Sequence, residues 1–293
     1  AKAKELGVPC HELLGGKIRD RVRVYWSHCG TWRISRPEIY PPTVANLDDV
    51  RALGAEVAER GFTALKTNIF RETPNGMVGW SPGFGGPNEP ERTPNYNIIN
   101  GLQDYLHAFR EGSGPEMDIL LDLNFNARTE GYLTLLRALR DHELFWIEID
   151  TPHASALATI RQQSPFTISG CESLTGLVEF LPYFQQEALD IAIIDAVWIG
   201  IWQSLKIAAA ADAYQVNIAP HNYYGHLATL MNVHFCAAVP NLKIMETDID
   251  RFVGDAEIFT HAPSIEEGHV KVPDRPGWGT EPNEAVLEEY PPL

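Results

Sequence analysis

The sequence predicts an α/β chain folded as a (β/α)₇β barrel of the TIM type, and three observations lead there. First, six short apolar runs end in a polar residue at a steady beat: ILLD at Asp122, FWIE at Glu148, TISGCE at Glu172, IAIID at Asp195, VNIAPH at His221 and LKIME at Glu246. Their last residues lie 23 to 26 apart, room for one strand, one loop and one helix. Second, helix-like stretches at roughly 98–110, 129–142, 153–163, 174–187, 199–214 and 226–238 separate these runs, and that alternation means parallel strands with crossover helices. Third, no Gly-rich dinucleotide turn follows any strand, which ranks the competing open doubly wound sheet below the barrel.

Taken in order, the chain begins with residues 1–6, which read as the last turns of a helix stopped by Gly7, with Pro9 beyond it. A helix met at its own C-terminal end implies a preceding piece. RVRVY at 21–25 alternates as the first strand and ends near Ser27 and His28. Residues 47–60 form an amphipathic helix, with Leu47, Val50, Leu53 and Val57 at helical spacing and Gly61 as its stop. FTALK at 62–66 is the second strand, followed by Thr67 and Asn68. Residues 70–97 are rich in Pro and Gly and read as one long irregular loop; the aromatics Phe70, Trp80, Phe84 and Tyr96 favour a lid over disorder. Counting the first two strands, the six runs above complete a ring of eight. The tail from Pro263 onward lacks periodicity.

At 293 residues and 44% hydrophobic content the chain can bury a large core, and α/β barrels of about 250 residues are single domains. A formal charge of −16 argues against a nucleic-acid partner, which requires a basic face. The four cysteines (Cys10, Cys29, Cys171, Cys236) show no metal-finger or C-x-x-C spacing, as expected of a reducing compartment. No run of about 18 apolar residues is present, so no membrane association and a cytoplasmic location are expected.

In a parallel barrel, functional side chains collect at the C-terminal ends of the strands. Asp122, Glu148 and Glu172 end three consecutive strands. Three carboxylates brought together repel unless a cation lies between them, and an all-oxygen set selects a hard ion such as Mg²⁺. Taken singly, each carboxylate could equally cap a neighbouring helix. Lys66 ends strand 2, where its ammonium could hold an anionic group of the substrate. His221 and Asp195 end adjacent strands; a carboxylate accepting one ring N–H fixes the imidazole tautomer and suits a general base. Glu246 ends strand 8 and could bond a developing oxyanion if protonated, or accept from a substrate hydroxyl.

This order (Lys at strand 2, Asp-Glu-Glu at strands 3 to 5, Asp-His at strands 6 and 7, Glu at strand 8) resembles the mandelate racemase/muconate lactonizing enzyme branch of the enolase superfamily, including its galactonate- and mannonate-dehydratase-like members. LGVPCHELLGGKIRDRVRVY resembles that family's junction between an N-terminal α+β capping domain and the barrel. By that match, residues 1–20 are the end of the cap, 21–250 the barrel with its insertion at 70–97, and 251–293 a segment returning to the cap. The rest of such a cap, on the order of a hundred residues, is expected to precede them. The resemblance implies abstraction of the proton α to a carboxylate, with a metal-stabilised enediolate. Asp122, Glu148 and Glu172 are then the Mg²⁺ ligands, His221 with Asp195 the base, Lys66 the cation at the carboxylate and Glu246 a substrate-binding group. The family is usually oligomeric, so a homo-oligomer acting on a small anionic sugar acid is expected.

Racemases of this branch carry K-x-K at strand 2; here the motif is Lys66-Thr67-Asn68, and asparagine carries no proton at neutral pH. A single-base β-elimination of water from an aldonate or aldarate, giving a 2-keto-3-deoxy acid, is therefore the expected reaction. The alternatives are racemisation or epimerisation of a 2-hydroxy acid, or a metal-binding homologue without turnover. Galactonate-dehydratase-type members place a histidine where this chain has Asn124. The donor to the leaving hydroxyl is thus open, with Tyr96, Tyr223 and His28 as candidates and Asn68 and Asn124 as substrate-binding positions.

Overall fold

The computed structural model describes residues 1–85, 91–250 and 255–289. At its centre are eight strands: β1 (Arg21–Ser27), β2 (Ala64–Thr67), β3 (Asp118–Asp122), β4 (Trp146–Glu148), β5 (Ile168–Gly170), β6 (Ile191–Ile194), β7 (Asn217–Pro220) and β8 (Met245–Asp248). Each from β1 to β6 pairs in parallel with the next, and β8 pairs in parallel with β1 from Val24–Met245 to Ser27–Asp248. The ring closes where Ile218 bridges Leu242 ahead of β8: its N–H donates to Asn241 O at 2.8 Å, and its carbonyl accepts from Lys243 N at 2.9 Å. The expected barrel therefore forms, and the open sheet does not.

Side-chain alternation explains where the chemistry sits. Tyr25, Ala64, Leu120, Trp146, Ile191, Ile193, Ala219 and Ile244 pack against one another inside the ring. Their chain neighbours Trp26, Leu65, Leu121, Ile147, Ala192, Ile194, Ile218 and Met245 belong to the separate layer between strands and helices. Because successive strand residues face opposite ways, the residue two beyond each last interior one also points inward. Those residues are Ser27, Lys66, Asp122, Glu148, Asp195, His221 and Glu246. One strand breaks the count. After Ser169, alternation would turn Glu172 outward, but Cys171 adopts φ 86° and resets the register.

The crossover helices Tyr96–Ser113, Thr129–Ala138, Ala154–Gln163, Leu177–Gln185, Ile201–Ala213 and His226–Ala238 match the expected stretches to within a few residues. Asn46 caps Leu47–Glu59 by accepting from Asp49 N at 3.0 Å, and Asn95 caps Tyr96–Ser113 by accepting from Ile98 N at 3.1 Å. These two helices pack closely at Gly54, where an added Cβ would come within 2.9 Å of Phe109 O. Among the described residues, no helix is long and apolar enough to cross a membrane.

Two stretches differ from expectation. The 70–97 segment is not one irregular loop: Phe70–Thr73 and Gly76–Gly79 form an antiparallel hairpin turning at Pro74 and Asn75, followed by a short helical turn at Pro82–Phe84. Residues 86–90 of the expected lid lie outside the described residues. The tail also contains a hairpin, Ile265–Glu266 with His269–Lys271, joined by Glu267 and Gly268 at positive φ and laid antiparallel on the start of β1. Strands of two and three residues are too short to leave a period in the sequence.

The tail then meets the N-terminal segment, where Cys10 N donates to Gly277 O at 2.8 Å and Gly277 N to Val8 O at 3.0 Å. Beneath this contact His11 stacks on His234 with ring centroids 5.2 Å apart, and Trp278 lies 5.6 Å from His234. His11 N donates to His234 Nδ1 at 3.2 Å, so that nitrogen is held as an acceptor. Burial is the main cause that lowers the His234 pKa, to about 4. A histidine neutral when folded but titrating near 6.5 when unfolded stabilises the fold fully above pH 6.5, and that contribution is lost as pH falls toward 4. Urea melts between pH 7.5 and 4.5 should show a loss of up to about 3 kcal/mol, and His234→Gln should flatten that dependence; equal slopes for both proteins would refute the assignment.

Candidate active site

The C-terminal ends of the strands open into a cavity of about 720 Å³. Lys66, Asp122, Glu172, His221 and Glu246 line it, as do Asn68, Asn124, His28 and Tyr223. Glu148 and Asp195 lie behind this lining with fully buried side chains. Tyr96 is not brought there: it opens its helix and is 75% exposed, so a role as proton donor finds no support.

Lys66 is the hub. Its Nζ lies 3.0 Å from Glu148 Oε2, 3.2 Å from Glu246 Oε1 and 3.8 Å from Asp122 Oδ2. Burial works against the ammonium, but Glu148 and then Glu246 outweigh it and raise its pKa well above the ordinary value. Glu246 accepts from Asn222 N at 2.7 Å and from the Ser27 hydroxyl. Burial alone would raise its pKa; Lys66, His221 and His28 overcome that and hold it far below the usual carboxylate range. Of the two roles open to Glu246, the geometry therefore supports acceptor and opposes a protonated donor.

His221 Nδ1 lies 2.7 Å from Asp195 Oδ2, while its Nε2 is 3.6 Å from Glu172 Oε2. Asp195 Oδ1 accepts from Val197 N at 2.8 Å and Trp198 N at 2.9 Å, and the Tyr224 hydroxyl also donates to Oδ2. The carboxylate is thus fixed by two backbone amides, and it fixes the ring in turn. Burial opposes the imidazolium, yet the Asp195 bond and Glu246 leave the His221 pKa raised.

The closest acidic group differs from the expected trio. Oxygens of Glu148, Asp150 and Glu172 lie within 4.8 Å of one another. Asp122 stands beside them, with Oδ1 accepting from Asn124 N at 2.7 Å and Oδ2 from Asn124 Nδ2 at 2.9 Å. Asp150 escapes a reading that stops at strand ends, although it lies two residues beyond Glu148 and so faces the same way. Burial first, then mutual repulsion, raises the pKa of Glu148, Asp150 and Glu172. Glu148 Oε1 and Asp150 Oδ2 are buried without a hydrogen-bond partner. Buried carboxylate oxygens left in this state fit a hard divalent cation, which would satisfy both and remove the repulsion.

The description "Enolase C-terminal domain-like" matches residues 49–286. The chain belongs to the enolase superfamily. Relatives of that superfamily include a D-gluconate dehydratase of Thermoproteus tenax, 28% identical over 99% of this chain and 53% of its own length. An arabinonate dehydratase of Saccharolobus solfataricus is 30% identical over 99% of this chain and 68% of its own. A Burkholderia xenovorans strain LB400 protein, provisionally named an L-alanine-DL-glutamate epimerase and solved with magnesium and fumarate, has a TM-score of 0.97 at 54% identity. It covers all of this chain, which spans 73% of that one. This chain thus spans about half of the gluconate dehydratase and less than three quarters of the others.

Proposed function

We propose that this protein is a Mg²⁺-dependent hydro-lyase acting on a sugar acid, converting an aldonate or aldarate to a 2-keto-3-deoxy acid. The observation that carries the reading is the His221–Asp195 pair standing beside the acidic group, with His221 Nε2 3.6 Å from Glu172. Sugar-acid dehydratases among the relatives support it.

Glu148 and Glu172, with Asp122 and Asp150 beside them, supply the oxygens for Mg²⁺. When bound, the ion supplies positive charge opposite the substrate carboxylate, where negative charge grows as the α-proton leaves. Lys66 adds a second fixed charge at the same end. Asp195 holds the His221 ring so that Nε2 removes the α-proton, and Glu246 accepts from a substrate hydroxyl. Asn68 accepts from the Thr31 hydroxyl at 2.8 Å and donates to Asn124 Oδ1 at 3.2 Å, so it positions rather than transfers protons.

The test is the purified chain with Mg²⁺ and a panel of aldonates and aldarates, assayed for keto acid. Keto acid that disappears with a chelator is the expected result; a panel without keto acid, in a protein that binds Mg²⁺, would reject the reading. The provisional name of the Burkholderia protein favours a second reading, racemisation or epimerisation. Incubation in D₂O separates the two, because an epimerase returns deuterated, inverted substrate and no keto acid.

Asp150→Asn should weaken Mg²⁺ binding by about 10–100-fold, the range for a group that ligates or directly supports a ligand. Calorimetric titration reads this directly, and an unchanged affinity would remove Asp150 from the site.

A further inference from the structure

We propose that His28, oriented by Asp248, is the proton donor to the departing hydroxyl. The inference rests on the dehydratase reading and supplies the group that reading lacks.

The two residues end neighbouring strands, since Ser27 and Asp248 are paired in register across β1 and β8. Strand alternation would point His28 away from the ring interior; its φ of 49° turns the side chain to the cavity instead. Its Nδ1 lies 3.2 Å from Asp248 Oδ2 and 3.1 Å from Ser27 Oγ. Asp248 has a fully buried side chain, accepting from Trp32 Nε1 at 2.8 Å and from Asp250 N at 3.2 Å. With Nδ1 engaged, Nε2 is the ring nitrogen left to serve a ligand. The arrangement resembles that of His221, whose Nδ1 also faces a buried carboxylate, there within a hydrogen bond and here 3.2 Å away beside the Ser27 hydroxyl. The Tyr223 ring lies between the two imidazoles, 4.9 Å from His28 and 6.1 Å from His221 by centroid. One cavity therefore carries two His–Asp pairs, enough for one group to take the α-proton and another to give a proton to the leaving hydroxyl. Three of the other polar groups lining the cavity suit the role poorly. Asn68 and Asn124 are amides, and Lys66 is held among three carboxylates.

In the step, His221 Nε2 takes the proton from C2 and the C2–H electrons move into the carboxyl group as an enediolate, from which they return to form the C2=C3 bond. The C3–O bond breaks, and its electrons capture the proton from His28 Nε2, releasing water. The imidazole left behind keeps its Nδ1–H, which lies between Ser27 Oγ and Asp248. The enol then tautomerises to the keto acid, and exchange with solvent returns a proton to His28 and removes one from His221.

The experiment compares wild type, His28→Gln and Asp248→Asn as Mg²⁺-loaded full chains, following keto acid formation and C2–H exchange in D₂O. His28→Gln should lower keto acid formation about 100-fold or more while exchange persists, and Asp248→Asn should do the same more weakly. A substrate analogue with chloride in place of the C3 hydroxyl needs no proton to depart, so His28→Gln should regain near wild-type elimination with it. Equal loss of exchange and elimination without chloride rescue, or elimination retained by His28→Gln, would overturn the assignment. If His28→Gln does not fold, Asp248→Asn with the chloride analogue decides by the same criteria. A wild type that yields no keto acid rejects the dehydratase reading itself, an outcome distinct from any variant result.

Discussion

His221→Gln abolishes both half-reactions: keto acid formation and C2–H exchange should each fall by about 10³-fold, within the 10²–10⁴ range of a positioned general base. The physical reason is that no other group replaces it. Asp195 is committed to two backbone amides, the Tyr224 hydroxyl and the His221 ring, and Glu246 is occupied by Ser27, Asn222 and Lys66. Asp195→Asn should cost nearly as much, because an amide at this position can donate to Nδ1 and hold the ring in the wrong tautomer. Rapid-quench turnover and deuterium incorporation check both. Retained exchange in His221→Gln would move the base elsewhere in the cavity and sink the proposed mechanism.

Lys66→Met should destabilise the metal-free protein by about 3–5 kcal/mol, the cost of removing one partner from a buried ion pair. For a chain of this size that corresponds to a drop in Tm of roughly 10 °C or more. Glu148 and Glu246 would lose the cation that offsets their burial, and Asp122, Asp150 and Glu172 would lose the nearby charge that tempers their repulsion. The prediction has a second half. Mg²⁺ should recover a large part of the loss, because ligand at 100 times its Kd contributes about 2.7 kcal/mol to any protein that binds it only when folded. Calorimetric melts of wild type and variant, with Mg²⁺ and with chelator, give the comparison. A Lys66→Met protein as stable as wild type under chelator would show that the ammonium is not what holds these carboxylates together.

These two results probe opposite sides of one arrangement. The base side is held by backbone amides at the start of a short helix after β6, while the acidic side depends on the Lys66 ammonium in addition to its hydrogen bonds. Substitutions on the first should therefore change rate with little change in melting temperature. Substitutions on the second should change both.

Much of this was legible in the chain itself. The beat of apolar runs ending in Asp122, Glu148, Glu172, Asp195, His221 and Glu246 determined parallel strands with helical crossovers, and the lack of a Gly-rich dinucleotide turn ranked the barrel above the open sheet. The same beat placed the functional side chains at one end of the ring. The 70–79 hairpin was also encoded locally, in Asn75-Gly76 between two short runs, but the surrounding prolines and glycines masked it. Tyr96 was misplaced because a helix N-terminus and a loop end look alike in sequence; only the Asn95 cap and the resulting exposure separate them.

The tertiary structure decided what spacing cannot carry. Which carboxylates approach most closely depends on single backbone angles, such as φ 86° at Cys171, and on side-chain hydrogen bonds such as those that draw Asp122 to Asn124 and leave Asp150 in the closest group. The pairing of His28 with Asp248 spans 220 residues and exists only because β8 returns to lie against β1. Periodicity follows from the repeat geometry of strands and helices and so is written along the chain. Contacts within 3 Å follow from ring closure and local φ, and those are settled only when the barrel shuts.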